Sequence, residues 1–360
     1  MTLWTIAALV FGLVFLVGGA EALVKSASKL AAMVGISPLI IGLTVVAFGT
    51  SAPELAVSLQ ASLSEQADIA LGNVVGSNIC NVLLILGVSA MIAPLVVARQ
   101  LIRLDVPVMI GVSALLMLFG WDGQIGRSDG VILFIGGILY TLFLLYQSRR
   151  SKNAVLPADF AEIEEPPHSP KDTALNLGLL AIGLGMLVAG SQLLVHGAVT
   201  IATVLGVSQL VIGLTVVAIG TSLPELATSV TASFRGEGDI AVGNVVGSNI
   251  FNILVVLGLS SAVSPTGTVV SSDAIAFNIP VMIGVAMVCL PICITGNKIS
   301  RREGSLLLAY YLLYAGYLAA SAANSSLNFP IWIGVAVLAS ILLILLSWHR
   351  EENMQLNEHK

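Results

Sequence analysis

The sequence predicts an all-α polytopic membrane protein built from 5+5 inverted-topology repeats, with about ten core transmembrane helices and one extra C-terminal helix. Three observations predict it. The 360 residues are 57% hydrophobic and 10% charged, with mean hydropathy +0.99, whereas soluble domains carry about 25% charged residues. A 48-residue stretch occurs twice: positions 42–89 and 213–260 align at an offset of 171 without a gap, and 32 of the pairs are identical. Lys and Arg are distributed with a strong one-sided bias along the chain.

Spans of about 20 residues cross the hydrocarbon of a bilayer. Eleven are drawn, at 3–24, 38–60, 70–92, 104–120, 130–147, 174–195, 209–231, 241–263, 274–293, 304–322 and 330–348. Segments 1 and 6 can extend further as tilted helices. The first apolar run is long enough to span and is read as a retained helix rather than a cleaved signal. The longest polar break, around 147–172, is rich in Pro and mixed charge and reads as a flexible linker. Its acidic residues Glu162, Glu164 and Glu165 read as a solvated face rather than a regulatory cation site. The expected organisation is a first repeat over 1–147 containing the 42–89 motif, and a linker over 148–172. A second repeat over 173–322 contains the 213–260 motif, and the extra helix with its tail fills 323–360.

Charge sets the topology, because Lys and Arg collect on the cytoplasmic side. With the N-terminus outside, fourteen basic residues fall inside and only Arg127 falls outside. An odd number of spans then leaves the C-terminus cytoplasmic. Five spans per copy is also odd, so the second copy enters the membrane from the opposite side. That is the architecture of many secondary transporters. The expected location is the plasma (inner) membrane, the expected partners are the bilayer and the transported ions, and no nucleic acid is expected. The chain is expected to work as a monomer.

The chemistry sits in the duplicated stretch. Segment 2 carries Gly49-Thr50-Ser51-Ala52-Pro53-Glu54 in mid-span, and segment 7 repeats it as Gly220-Thr221-Ser222-Leu223-Pro224-Glu225. Proline lacks an N–H and crowds the preceding turn, which releases the carbonyl of Gly49 and loosens the helix. A carbonyl freed at membrane depth needs protein, water or an ion as its partner. An ionised carboxylate at the bilayer centre costs roughly 2.5–3.5 kcal/mol on insertion scales. Glu54 and Glu225 have no Lys or Arg in the middle of any span to pair with, so a bound cation or a proton must offset them.

Segments 3 and 8 add Ser77 with Asn81 and Ser248 with Asn252, each pair four apart and so on one helix face. Gly72, Gly76, Gly243 and Gly247 are read as close-packing positions. The assembled donors are the carboxylates of Glu54 and Glu225, the hydroxyls of Thr50, Ser51, Ser77, Thr221, Ser222 and Ser248, the amides of Asn81 and Asn252, and freed carbonyls. All are hard oxygens, which suit Ca²⁺, and Na⁺ shares the preference. No Arg-rich or aromatic lining for phosphate, sugar or peptide is present. No nucleophile–base pair suggests an enzyme, and no cofactor is expected, Ca²⁺ and Na⁺ being cargo. Cys80, Cys289 and Cys293 read as small hydrophobes. Asp68 and Asp239 are expected to cap helices 3 and 8. Glu21 and His196 read as interfacial.

At T-S-x-P-E and G-N-V-V-G-S-N-I-x-N the chain resembles the calcium/cation antiporter superfamily, close to its prokaryotic sodium/calcium exchangers. The resemblance covers segments 1–10 and leaves out the eleventh. It implies exchange of several Na⁺ for one Ca²⁺ by alternating access at a central site, with Glu54 and Glu225 as the acidic ligands. The hydroxyl ligands would be Thr50, Ser51, Ser77, Thr221, Ser222 and Ser248, the amide ligands Asn81 and Asn252, and the carbonyl ligands lie near Ala47 and Ala218. Asn252 departs from exchangers that carry Asp there, which argues against K⁺ co-transport. A proton-coupled G-N-x-x-E pattern is absent. A H⁺/Ca²⁺ or other divalent antiporter is the alternative, and a cation channel with a carboxylate ring is a third reading. Segments 1 and 6 are expected to move as rigid bodies against a core of 2, 3, 7 and 8, sliding on glycine-containing text around Gly18, Gly19 and Gly190.

Overall fold

In a computed structural model of the chain, residues 3–34, 36–63, 67–152, 170–204 and 218–323 are described. The expected eleventh span, the acidic linker residues and the start of segment 7 lie outside them. The helices are α1 (Leu3–Val34), α2 (Pro38–Thr50), α3 (Ala52–Leu63), α4 (Ile69–Ile92), α5 (Leu101–Phe119), α6 (Arg127–Lys152), α7 (Pro170–Val204), α8 (Ala218–Thr221), α9 (Leu223–Phe234), α10 (Gly238–Val263), α11 (Ala274–Ile294) and α12 (Arg301–Ala323). Among the described residues seven helices are long and apolar enough to cross a membrane, or eight when α2 and α3, bent by 46°, count as one span. The tenth expected segment forms the 23-residue α12.

The ends of α6 and α7 and the place of Asp239 differ from expectation, whereas the length of α1 and α7 agrees with it. Helix α6 runs on to Lys152 and α7 begins at Pro170, so only 153–169 separate them. Proline is pre-set for a first helical position, where its missing N–H costs nothing. Helices α1 and α7 have 32 and 35 residues. At 1.5 Å per residue each is longer than the roughly 30 Å hydrocarbon core, as for tilted helices. Asp239 is not a cap: it sits in the first turn of α10, and the capping position is Glu237, whose side chain makes no cap bond. The side chain of Asp68 lies outside the described residues.

The core is closed by glycines. A Cβ built on Gly19 would stand 2.8 Å from the Gly183 carbonyl oxygen, and one on Gly190 would stand 2.8 Å from that of Gly12. These glycines bring α1 and α7 together backbone to backbone. The reading of Gly243 and Gly247 as packing positions is met on the α2 side: their Cβ atoms would meet the carbonyls of Leu39 and Leu43 at 2.9 and 2.7 Å. Two short antiparallel pairs tie the halves together. Leu95–Val96 pairs with Lys298–Ile299, and Gln124–Ile125 pairs with Thr268–Val269. Each joins a connection from one copy to a connection from the other.

Cys80, Cys289 and Cys293 are free and buried, as small hydrophobes are. Glu21 is half-exposed and forms an ion pair with Arg235 at the end of α9. An exposed pair of this kind contributes about 0–1 kcal/mol.

Candidate functional site

The two helix breaks build the site. At Ser51 the backbone leaves α2 at φ −81°, ψ 9°, and at Ser222 it leaves α8 at φ −88°, ψ 9°. Pro53 and Pro224 follow two residues later and cannot donate to the turn before. The released carbonyl of Gly220 is taken by the Ser191 hydroxyl on α7 at 2.6 Å. The equivalent position for Gly49 is Ala20, which has no hydroxyl.

The breaks turn each serine toward the other copy's carboxylate. Ser51 Oγ donates to Glu225 Oε1 at 3.0 Å, and Ser222 Oγ lies 3.4 Å from Glu54 Oε1 and 3.3 Å from Ser77 Oγ. Both carboxylates are 1% exposed. Among the described residues neither has a Lys or Arg partner, and both take their hydrogen bonds from hydroxyls.

A second layer holds the broken turns. Asn73 Nδ2 donates to the Glu54 carbonyl at 3.2 Å and to Ser58 Oγ at 3.0 Å. Asn244 Nδ2 does the same for the Glu225 carbonyl at 3.3 Å and Ser229 Oγ at 3.0 Å. The threonines reach these asparagines, Thr50 Oγ1 to Asn244 Oδ1 at 3.1 Å and Thr221 Oγ1 to Asn73 Oδ1 at 3.5 Å. Thr50 Oγ1 also lies 3.0 Å from the Val46 carbonyl oxygen, which competes for the same proton. The Ala47 carbonyl already accepts from the Ser51 N–H at 3.0 Å. Ala218 opens α8, and its side chain lies outside the described residues.

Asn81 and Asn252 each open a π-helical stretch, Asn81–Leu86 and Asn252–Leu257. Such wide turns occur often at functional sites. Both side chains are 1% exposed, and they are held by Asn249 and Asn78 respectively, at 3.0 and 3.1 Å.

Five buried oxygen atoms of these residues have no hydrogen-bond partner: Glu54 Oε2, Glu225 Oε2, Asn81 Oδ1, Asn252 Oδ1 and Ser248 Oγ. Buried polar groups are ordinarily satisfied. Four of the five are pure acceptors when the carboxylates are ionised, so hydrogen bonds among those four cannot satisfy them, and each needs a donor or a cation.

The hydrogen bonds pair Ser51 with Glu225 and Ser222 with Glu54 and Ser77, and reach Thr50 and Thr221 through Asn244 and Asn73. Asn81 and Asn252 belong to a separate network with Asn249 and Asn78. These bonds do not connect Ser248. Sequence reasoning gave Asn73, Asn78, Asn244 and Asn249 no role, although all four repeat at the 171-residue offset. An unnoticed signal was Pro-Val-Met-Ile-Gly, present at 107–111 and again at 280–284. Its methionines Met109 and Met282 accept from Asn249 and Asn78.

Comparison with known proteins follows the same segments. The family model described as sodium/calcium exchanger protein matches residues 4–148 and 175–320. The Inner membrane protein YrbG of Escherichia coli (strain K12) is 41% identical over 261 residues, 72% of this chain and 80% of that protein. The Sodium/calcium exchanger MaX1 of Methanosarcina acetivorans is 34% identical over 337 residues, 85% of this chain and 96% of that protein. Among solved structures, the sodium-calcium exchanger NCX_Mj soaked with zero Na⁺ and Ca²⁺ superposes with a TM-score of 0.76 at 32% identity, covering 88% of this chain and all of that one. Two matched blocks, one per copy, and relatives aligned over most of their lengths leave one assignment: the chain belongs to the sodium/calcium exchanger protein family.

Proposed function

We propose that this chain is a secondary active antiporter that exchanges Na⁺ for Ca²⁺ at one central site made by both copies. The observation that carries the reading is that five buried oxygens of these residues have no partner, two of them on carboxylates without a basic neighbour. The ligands are Glu54, Glu225, Thr50, Ser51, Ser77, Asn81, Thr221, Ser222, Ser248 and Asn252, with backbone oxygens near Ala47 and Ala218. Hard oxygens of this number suit Ca²⁺ and leave room for Na⁺. Relatives named sodium/calcium exchanger support the same pair of ions.

The reading includes the 5+5 inverted plan, with the halves divided at 148–172, the N-terminus outside and the C-terminus cytoplasmic. The inverted repeats place the site near the midplane. Two carboxylates facing an apolar barrier must be neutralised before the site can cross it. Bound Ca²⁺ does this, and so does a set of Na⁺ ions. An empty, doubly charged site reorients slowly, and that asymmetry enforces exchange over leak. Helices α1 and α7, pressed together at their glycines, move as one body against α2, α3, α4, α8, α9 and α10.

The test is ⁴⁵Ca²⁺ uptake into vesicles holding the reconstituted chain. Uptake is expected to follow an outward Na⁺ gradient and to collapse when Na⁺ is equal on both sides. Uptake driven by a pH gradient alone replaces this reading with H⁺/Ca²⁺ exchange. Ion currents without a counter-ion replace it with a channel.

A further inference from the structure

We propose that Asn78 and Asn249 are specificity-determining positioning residues, which fix the oxygen ends of the Asn252 and Asn81 amides toward the ion. The inference rests on the exchange reading above. A primary amide offers two N–H donors at one end and an acceptor oxygen at the other. Only the oxygen end is useful to a cation, so a site containing two asparagines needs something that sets which way each one points.

The setting begins at the backbone. Asn78 Nδ2 donates to the Asn249 main-chain carbonyl at 3.1 Å, and Asn249 Nδ2 donates to the Asn78 carbonyl at 3.2 Å. A main-chain carbonyl can only accept. The nitrogen end of each amide is therefore held against it, and a flip would place two acceptors face to face. The second N–H of each has a sulfur partner, Met282 Sδ at 3.7 Å for Asn78 and Met109 Sδ at 3.5 Å for Asn249. Both side chains are 2% exposed, so water offers no alternative partner.

With the nitrogens committed, the oxygens are committed too. Asn249 Oδ1 accepts from Asn81 Nδ2 at 3.0 Å, and Asn78 Oδ1 accepts from Asn252 Nδ2 at 3.1 Å. What remains of Asn81 and Asn252 is Oδ1, buried and without a partner in both cases. Two backbone carbonyls thus propagate through four amides to give a site that presents acceptors only. Helices α5 and α11 carry none of the proposed ligands, and they enter this relay through their methionines.

The relay predicts a particular rescue. An aspartate has oxygen at both ends, so it does not need to be oriented. Asn78→Ala is expected to raise the Ca²⁺ KM of Na⁺-driven uptake by about 10–100-fold, the usual effect of removing a residue that orients a metal ligand, with kcat much less affected. In an Asn252→Asp background the same Asn78→Ala change is expected to shift KM by less than about threefold. Asn249→Ala and Asn81→Asp form the mirror pair and serve if the first variant does not fold.

Equal KM shifts in both backgrounds, or a loss confined to kcat and protein yield, would mean that the asparagines only pack helices, and would overturn the proposal. Absence of Na⁺-driven Ca²⁺ uptake in the unsubstituted chain defeats the exchange reading itself and this proposal with it. That outcome is distinguished by the parent control.

Discussion

Glu54→Gln is expected to abolish Na⁺-driven Ca²⁺ uptake while leaving the chain folded. The substitution keeps the shape of the side chain and an oxygen that can accept from Ser222, which lies 3.4 Å from Glu54 Oε1. It removes a unit of charge from a 1% exposed position. Two unit charges about 4 Å apart attract by roughly 4 kcal/mol at an effective dielectric of about 20, and a divalent ion feels more than that. Each 1.4 kcal/mol is about tenfold, so Ca²⁺ affinity should fall by roughly a thousandfold or more. The amide also offers an N–H₂ end where the parent has only acceptors. Folding should survive, because the carboxylate makes no ion pair in the described structure, and unfolding midpoints in detergent check this. Near-normal uptake by this variant would remove Glu54 from the site.

Gly247→Leu should be nearly as damaging by a different route. A Cβ at 247 would stand 2.7 Å from the Leu43 carbonyl oxygen, 2.8 Å from Leu43 Cα and 2.9 Å from Ala47 Cβ. Two of these are backbone atoms and cannot rotate away, so α2 must move off α10. Over-packing of this kind costs about 1–3 kcal/mol and sometimes more. Here it displaces the helix that ends at Thr50 and leads into Ser51. Both a lowered unfolding midpoint and loss of uptake are expected. Gly284→Ala is the matching control, since a Cβ there meets nothing within 4 Å among the described residues. Equal tolerance at 247 and 284 would contradict the packing argument.

The parts of this molecule that were legible in its sequence are those that leave a local mark. A carboxylate within an apolar run, a proline two residues after a serine, and the duplication of both pointed to Glu54, Glu225, Ser51 and Ser222. Helical spacing put Ser77 with Asn81 and Ser248 with Asn252. It did not show that Asn78, one residue beyond Ser77, would matter as much. In a single helix Asn78 reads as a packing amide, and its partner Asn249 lies 171 residues away in the second copy. The same holds for Met109 and Met282, whose role depends on which sulfur faces which amide across the interface.

Asp105 was also silent. It stands at the start of a span, yet it is fully buried and is held by Tyr140 at 2.9 Å and Gln100 at 3.3 Å. The glycines of α1 and α7 set a backbone-to-backbone approach, Gly19 against Gly183, whose pairing is decided only when the two helices meet. Helix α6 extends to Lys152, past the last apolar residue of its span, because charged residues such as Arg149, Arg150 and Lys152 are good helix formers even where they end a membrane span.

If one cage is shared by the two copies, neither carboxylate works alone. Equilibrium binding of ⁴⁵Ca²⁺ to the purified chain, with and without competing Na⁺, tests it directly when made on the parent, Glu54→Gln, Glu225→Gln and the double variant. The account predicts a single Ca²⁺ site per chain that Na⁺ displaces. Binding should be lost in either single variant and no further changed in the double, the non-additive pattern of residues in one network. Two sites in the parent, with each single variant keeping half of the capacity, would contradict it.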